Sequence, residues 1–263
     1  MKRAFYVLAF LAVSASSASG EVRTKTITYK DGDTTLRGVL TWDDSVKGQR
    51  PGVLVVHEWW GLDDYAKSRA KQLAKLGYAA FAVDMYGKGK ITEHPMTARK
   101  WSGMVRKNQK AWRSRAQLGL DILKKQKMVD GSRLAAIGYC FGGSTVLQLA
   151  YSGADLDAVV TFHGGLMPPA ANESKAIKAK VLICHGADDK FIPEKVAKQV
   201  KQALKKAGVL HKFVAYPGAV HSFTVPEADK RGIPGIAYDQ KADEGSWREM
   251  RRLFKRVFQD GTR

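Results

Sequence analysis

Gly138-Tyr139-Cys140-Phe141-Gly142-Gly143 is the most informative segment of the sequence. It follows a short apolar run, 134–137, with the length of a buried strand, and it precedes 144–150, whose composition favours a helix. A strand, a sharp turn flanked by glycines and a helix are the pattern of a nucleophile elbow, here with cysteine as the nucleophile. The glycines have no side chains that would clash at this tight turn. The helix N-terminus points unpaired N–H groups at Cys140. The alternative is a glycine-rich turn around a buried structural cysteine.

Apolar runs and stretches of helical period alternate along the rest of the chain. Strands are predicted at 22–29, 36–42, 52–57, 78–83, 134–139, 158–162, 180–185 and 212–216, and helices at 63–76, within 97–127 as two helices, at 144–152, 193–207 and 247–258. The first two strands form a hairpin around Asp31-Gly32-Asp33. Because the later links are short, we expect one α/β domain with a mostly parallel central sheet and helices on both faces.

The first 20 residues have the anatomy of a signal peptide. Met1-Lys2-Arg3 is basic, 4–13 is apolar, and 14–20 is small and polar. The apolar run is too short to span a bilayer. We therefore predict a signal peptide at 1–20 and a single domain at 21–263. The protein is expected to be secreted or periplasmic, with no membrane attachment after cleavage. An uncleaved N-terminal anchor is the alternative.

The chain is strongly basic, with a formal net charge of +19. Its lysines and arginines are spread through the predicted helices and are densest at 195–206 and 248–256, both at helical spacing. This distribution favours solvated helix faces, and we expect no specific nucleic-acid partner. A polyanion-binding protein is the alternative that the charge leaves open. The histidines lack metal-ligand spacing, so no metal and no cofactor are predicted, and we expect a monomer.

Candidate catalytic residues stand directly after predicted strands. In a parallel sheet of this kind, ligand-binding residues lie at the carboxyl ends of the strands. Cys140, Asp189 and His221 each occupy such a position, in the order nucleophile, acid, histidine. This is the chain order of the catalytic triad in α/β-hydrolases. Asp188 is the alternative acid, although its position suits a turn.

Residues around the predicted nucleophile suggest how a developing oxyanion would be held. The backbone N–H groups of Phe141 and Trp59 are the candidate donors, since they follow neighbouring strand ends. Glu58 beside Trp59 is expected to hydrogen-bond the resting thiol of Cys140. His163-Gly164-Gly165 also follows a strand and is interpreted as a loop that lines the cleft.

The chain contains two cysteines, Cys140 and Cys184. In an exported protein such a pair can indicate a disulfide, and a disulfide-stabilised or redox-active binding protein is therefore a further alternative. The elbow position of Cys140 favours a side chain that faces a cleft. We expect both thiols to be free.

With these motifs, the sequence resembles the dienelactone hydrolase family over nearly the whole of 52–258. The resemblance is carried by the segments His57-Glu58-Trp59-Trp60-Gly61-Leu62, Val83-Asp84-Met85-Tyr86, the elbow around Cys140, His185 through Pro193, and Tyr216 through Phe223. It implies an α/β-hydrolase fold, hydrolysis of a small-molecule ester or lactone, and the roles already given to Cys140, Asp189, His221 and Glu58. Trp60, Tyr86, His163 and Phe223 are expected to line the substrate site.

Two features depart from the family's pattern. Well-known members anchor a substrate carboxylate with an arginine shortly after His-Ser-Phe, whereas here no arginine follows Phe223 until Arg231. Those members are also cytoplasmic, whereas this chain begins with an export signal. We therefore expect the fold and the triad to match those of the family. We do not expect dienelactone to be the substrate.

Overall fold

The computed structural model describes residues 20–259, and the predicted signal peptide thus lies almost entirely outside the described residues. The strands are β1 (Val22–Asp31), β2 (Thr34–Asp43), β3 (Arg50–Val56), β4 (Ala79–Val83), β5 (Val129–Tyr139), β6 (Ala158–Phe162), β7 (Lys180–Gly186) and β8 (His211–Tyr216). The helices are α1 (Asp64–Lys75), α2 (Pro95–Lys107), α3 (Gln109–Lys124), α4 (Phe141–Tyr151), α5 (Ala171–Ala176), α6 (Glu194–Lys206) and α7 (Gln240–Gln259). A single turn of 3-10 helix, Asp229–Arg231, precedes α7.

All the strands of the described range form one eight-stranded sheet in the order β1-β2-β4-β3-β5-β6-β7-β8. β1 pairs with β2 and β2 with β4 in antiparallel fashion, and every later pairing is parallel. The order reverses around β3, which lies between β4 and β5. In open α/β sheets, ligands bind at the carboxyl ends of strands near such a reversal. The predicted α/β class with a mostly parallel sheet is confirmed.

The period of two along the central strands sends alternate side chains into two cores. In β3, Leu54 and Val56 join the core beneath α3, α4 and α6, whereas Val53 and Val55 join the core beneath α1 and α7. These four side chains are fully buried. A strand that is covered on both faces has apolar residues at every position rather than apolar and polar residues in alternation. The continuous apolar run was therefore enough to predict β3.

Several elements differ from the sequence prediction, and one of them is β5, which begins at Val129 rather than at 134. The short helix α5 was not predicted, and α7 begins at Gln240 rather than at 247. The carboxylate of Asp239 accepts a hydrogen bond from the Ala242 N–H at 2.9 Å, as an N-cap residue does. This cap starts the helix in a polar segment that carries no apolar periodicity.

Candidate active site

Cys140 occupies a strained turn between β5 and α4. Its backbone has φ +50° and ψ −112°, a conformation that L-residues rarely adopt. A methyl group on Gly138 would come 2.0 Å from the Gly142 carbonyl oxygen, and one on Gly142 would come 2.2 Å from the Val56 carbonyl oxygen. Only glycine therefore fits on either side of the turn. The predicted elbow is present, and the Cys140 side chain is partly exposed.

Asp189 and His221 are joined by a short hydrogen bond, with 2.7 Å between the Asp189 Oδ2 and the His221 Nδ1. Both residues are buried, whereas Asp188 is exposed. The second oxygen of Asp189, Oδ1, accepts from the Phe191 N–H at 2.9 Å. The carboxylate is thus fixed from both sides, and the geometry favours Asp189 over Asp188 as the partner of His221.

The ionisation of His221 depends on its two neighbours. Burial lowers the pKa of its imidazole, but the interactions with Cys140 and Asp189 outweigh this effect and hold the pKa well above its usual value of 6.5. An opposite charge beside the ring favours its protonated form, and the Asp189 carboxylate lies 2.7 Å from the His221 Nδ1. The three predicted triad residues therefore form one interacting group.

Glu58 is buried behind this group, 2% exposed. Its Oε1 accepts a hydrogen bond from the Ser222 hydroxyl at 3.0 Å and lies 3.7 Å from the His163 Nδ1. The sequence predicted that Glu58 accepts a hydrogen bond from the Cys140 thiol. Among the described residues, 20–259, Glu58 accepts instead from the Ser222 hydroxyl. Burial, followed by the nearby charge of Asp63, raises the pKa of the Glu58 carboxyl.

The predicted oxyanion donors leave the sheet side by side. β3 and β5 are parallel neighbours, and their register pairs Val56 with Gly138. Trp59 and Phe141 each follow three residues later, at the same edge of the sheet. Phe141 is the first residue of α4, so its N–H has no partner within the helix.

The prediction that His163 and Phe223 line the substrate site is wrong, because both are fully buried. The ring of Phe223 packs edge-on against His163, with 5.2 Å between the ring centroids. His163 lies behind Cys140, and its Nδ1 accepts from the Cys140 N–H at 3.2 Å. These two side chains support the elbow from inside the protein.

Trp60 and Tyr86 are also buried, at 2% and 4% exposure. The guanidinium of Arg231 lies over the Trp60 ring, 4.1 Å from its centroid, and so covers it. Tyr86 packs against Phe141, with 5.4 Å between the ring centroids. Burial, and then the charge of Cys140, raises the pKa of the Tyr86 hydroxyl. Trp60 therefore lies under Arg231, and Tyr86 lies near Cys140.

Four residues of the site, Tyr65, Arg69, Ser222 and Thr224, were not predicted from the sequence. Ser222 and Thr224 flank Phe223 in the segment after His221, which is a signal that could have found them. Tyr65 and Arg69 lie on α1 and carried no such signal, because only the tertiary packing brings their polar ends to Thr224.

The described residues contain neither a metal-binding cluster nor a membrane-spanning helix. No group of three or more His, Cys, Asp or Glu side chains in 20–259 is placed to bind a metal ion. Likewise, no helix between these bounds combines the length and the apolar character of a membrane span. Cys184 is a buried free thiol, and burial raises its pKa to about 12.

A strained elbow, a histidine and an aspartate at the carboxyl ends of parallel strands define the class of α/β-hydrolases. The model of the dienelactone hydrolase family matches residues 36–258. The chain belongs to this family and is a hydrolase.

Individual relatives agree with this assignment. A Synechocystis protein named as a carboxymethylenebutenolidase is 27% identical over 255 residues, which cover 89% of this chain and 97% of that protein. Two solved structures each cover 90% of this chain and 99% of their own, with TM-scores of 0.87. One, 44% identical and obtained from metagenomic libraries, is described as a dienelactone hydrolase-like promiscuous phosphotriesterase. The other, 43% identical, is described as m3DLH.

Proposed function

We propose that the domain 21–263 is an exported hydrolase that cleaves ester or lactone bonds through Cys140, His221 and Asp189. The observation that carries the proposal is the 2.7 Å hydrogen bond between Asp189 and His221, with Cys140 acting on the same imidazole. A carboxylate on Nδ1 fixes the tautomer that leaves Nε2 free to accept the thiol proton. Membership of the dienelactone hydrolase family supports the same chemistry.

In the first half-reaction, His221 takes the proton of the Cys140 thiol, and the thiolate forms a bond to the acyl carbon. The carbonyl electrons move to oxygen, where the N–H groups of Phe141 and Trp59 receive the charge. The C–O bond to the leaving group then breaks, and His221 returns the proton to the leaving oxygen. In the second half-reaction, water deprotonated by His221 attacks the thioester and releases the acid and the thiol.

The surroundings of the site combine apolar walls with cations: Lys90 and Arg115 line the adjacent groove, and the Arg106 guanidinium lies 5.3 Å from the centroid of the Phe141 ring. A groove of about 220 Å³ lies beside Tyr86, with Trp101, Met104 and Trp112 among its walls. The first arginine after Phe223 in the sequence is Arg231, whose guanidinium lies over the Trp60 ring and 4.0 Å from a carboxylate oxygen of Asp63. We propose that neutral aryl esters are hydrolysed as well as acidic lactones.

A hydrolysis screen tests the catalytic proposal. Purified domain 21–263 is assayed against p-nitrophenyl esters and unsaturated lactones, together with the variants Cys140→Ala and Cys184→Ala. Because the Cys184 side chain contacts the Tyr216 hydroxyl and has no role in the proposed chemistry, its variant is the matched control and should keep wild-type activity. Cys140→Ala should lower kcat by several orders of magnitude. Equal activity of the two cysteine variants would exclude Cys140 as the nucleophile.

A second candidate activity is the hydrolysis of phosphotriesters. It is favoured by the 44% identity to a structure described as a promiscuous phosphotriesterase. The same thiolate attacks phosphorus in place of an acyl carbon, and His221 protonates the leaving aryl oxide. Water deprotonated by His221 then cleaves the S–P bond, which releases the phosphodiester and the thiol. A p-nitrophenyl phosphotriester tests this candidate. Release of p-nitrophenol that is lost in Cys140→Ala supports it, and its absence from the wild type contradicts it.

Export is proposed from residues 1–20 alone. The test is expression of the full chain, followed by fractionation and N-terminal sequencing of the exported material. We expect a mature N-terminus after Ala18 or Gly20. A protein that retains Met1 and remains in the membrane fraction would contradict the proposal.

A further inference from the structure

His163 contacts the backbone of the proposed nucleophile. The Cys140 N–H is shared between two acceptors, the Phe162 carbonyl oxygen at 3.1 Å and the His163 Nδ1 at 3.2 Å. His163 itself has φ +39° and is held by its own N–H, which donates to the Cys184 carbonyl oxygen at 2.9 Å. Among residues 20–259, the non-glycine residues with positive φ are Cys140, His163 and Ser222, all of them in this site.

The second ring nitrogen of His163 fixes its tautomer. Because Nδ1 accepts the Cys140 N–H, the ring proton must be on Nε2, which donates to the Thr224 Oγ1 at 2.7 Å. Thr224 is fully buried, and its Oγ1 also lies 2.6 Å from the Tyr65 hydroxyl oxygen. The imidazole is therefore bonded at both nitrogens, which fixes its orientation as well as its tautomer.

Arg69 fixes the other end of this chain of hydrogen bonds. Its Nε donates to the Tyr65 hydroxyl at 3.1 Å, and its Nη2 donates to the Thr224 carbonyl at 2.7 Å. The same guanidinium pairs with the Asp243 Oδ1 at 2.6 Å, on α7. The network thus connects the C-terminal helix to the nucleophile turn. Networks in which every member is bonded give the residues that they hold a single arrangement.

We propose that His163 is a positioning residue, which holds the Cys140 backbone in its strained conformation through Nδ1 and depends on Thr224 for the correct tautomer. The inference rests on the proposed function of Cys140 as nucleophile. Cys140 can keep φ +50° only where its surroundings fix it. Loss of an acceptor on its N–H lets the turn relax, and the sulfur then moves relative to His221 and to the oxyanion donors.

The first test compares His163→Gly with His163→Asn. Glycine adopts φ +39° without strain, but it has no side-chain hydrogen-bond acceptor. Asparagine also tolerates positive φ. Its Oδ1 is bonded to Cγ, as Nδ1 is in histidine, so this oxygen can lie near the position of Nδ1. Since a displacement of about 1 Å can cost about 100-fold in rate, we expect kcat per titrated thiol to fall about 100-fold in His163→Gly. We expect a loss of less than about tenfold in His163→Asn and little change of KM in either variant.

His211→Asn, at the start of β8, is the matched control and should keep the wild-type kcat. Equal loss of kcat in His163→Gly and His163→Asn would overturn the role of Nδ1 as acceptor. If Cys140→Ala is fully active, the proposed function itself fails, which is a distinct outcome.

The second test measures the tautomer directly and does not depend on activity. Nitrogen-15 NMR of labelled histidine should identify His163 as the Nε2–H tautomer in the wild type and in Thr224→Ser. In Thr224→Val, which keeps the shape of the side chain without its hydroxyl, the Nδ1–H form should become populated and kcat should fall. An unchanged tautomer and kcat in Thr224→Val would overturn the proposal.

Discussion

Replacement of Asp189 by asparagine should impair the enzyme more than its replacement by alanine. In the structure, Oδ1 accepts from the Phe191 N–H at 2.9 Å, and Oδ2 contacts the His221 Nδ1 at 2.7 Å. An asparagine keeps its carbonyl oxygen on Phe191, because turning the amide round would lose that bond and cost about 1–3 kcal/mol. The NH₂ group then faces His221 and donates to Nδ1. His221 is left with its proton on Nε2, where it cannot accept the thiol proton.

The magnitudes follow from these contacts. Alanine removes one hydrogen bond to a charged group, which is worth about 1.5–3 kcal/mol, or about 10- to 150-fold in rate. Asparagine adds the cost of the wrong tautomer, for a total of about 2.5–6 kcal/mol and a loss of about 10²- to 10⁴-fold. The assay is kcat/KM for a p-nitrophenyl ester, with Asp188→Asn as the exposed control that should stay near wild type. An Asp189→Asn enzyme at least as active as Asp189→Ala would refute the reasoning.

Four further predictions concern the cysteines and the charged groups of the site. Glu58→Gln should speed the alkylation of Cys140 by iodoacetamide without substrate at a pH above the raised pKa of the Glu58 carboxyl, because loss of a nearby negative charge then favours the thiolate; slower or unchanged alkylation there would contradict this. Native protein should be alkylated at Cys140 and not at Cys184, which is buried with its pKa raised to about 12; peptide mass spectrometry locates the label. Cys140→Ala should lower the pKa of His221 in an NMR titration, since Cys140 raises it; an unchanged pKa would show that Asp189 alone is responsible. The kcat/KM for acidic lactones should exceed that for neutral esters by less than about 100-fold, or about 2.7 kcal/mol. A larger preference for acidic lactones would contradict this, and its loss in Arg231→Gln would identify Arg231 as the residue that binds the substrate carboxylate.

The strands and the positions of the three proposed catalytic residues could be predicted because each depends on a local pattern. β3 is a continuous apolar run, as a strand buried on both faces requires. Once the parallel sheet was inferred, chain order alone placed Cys140, Asp189 and His221 at its carboxyl edge. Their geometry agrees with that inference, because the aspartate–histidine bond depends mainly on where the strands end.

The contacts behind the elbow could not be predicted in the same way. His163 follows a strand like the triad residues, and nothing local distinguishes a side chain that turns inward from one that faces the cleft. Its positive φ falls directly after β6, which is paired with β5 on one side and β7 on the other. The Ser222–Glu58 bond likewise joins residues 164 positions apart, and its partners are set by the fold as a whole.

The proposed mechanism requires that Cys140 forms a covalent acyl-enzyme. The most direct measurement is rapid-quench mass spectrometry of the protein after mixing with p-nitrophenyl acetate. We predict a transient mass increase of one acetyl group, located on the peptide that contains Cys140 and absent from Cys140→Ala. Turnover without any acylated peptide, or an acetyl group on a different residue during turnover, would contradict the account.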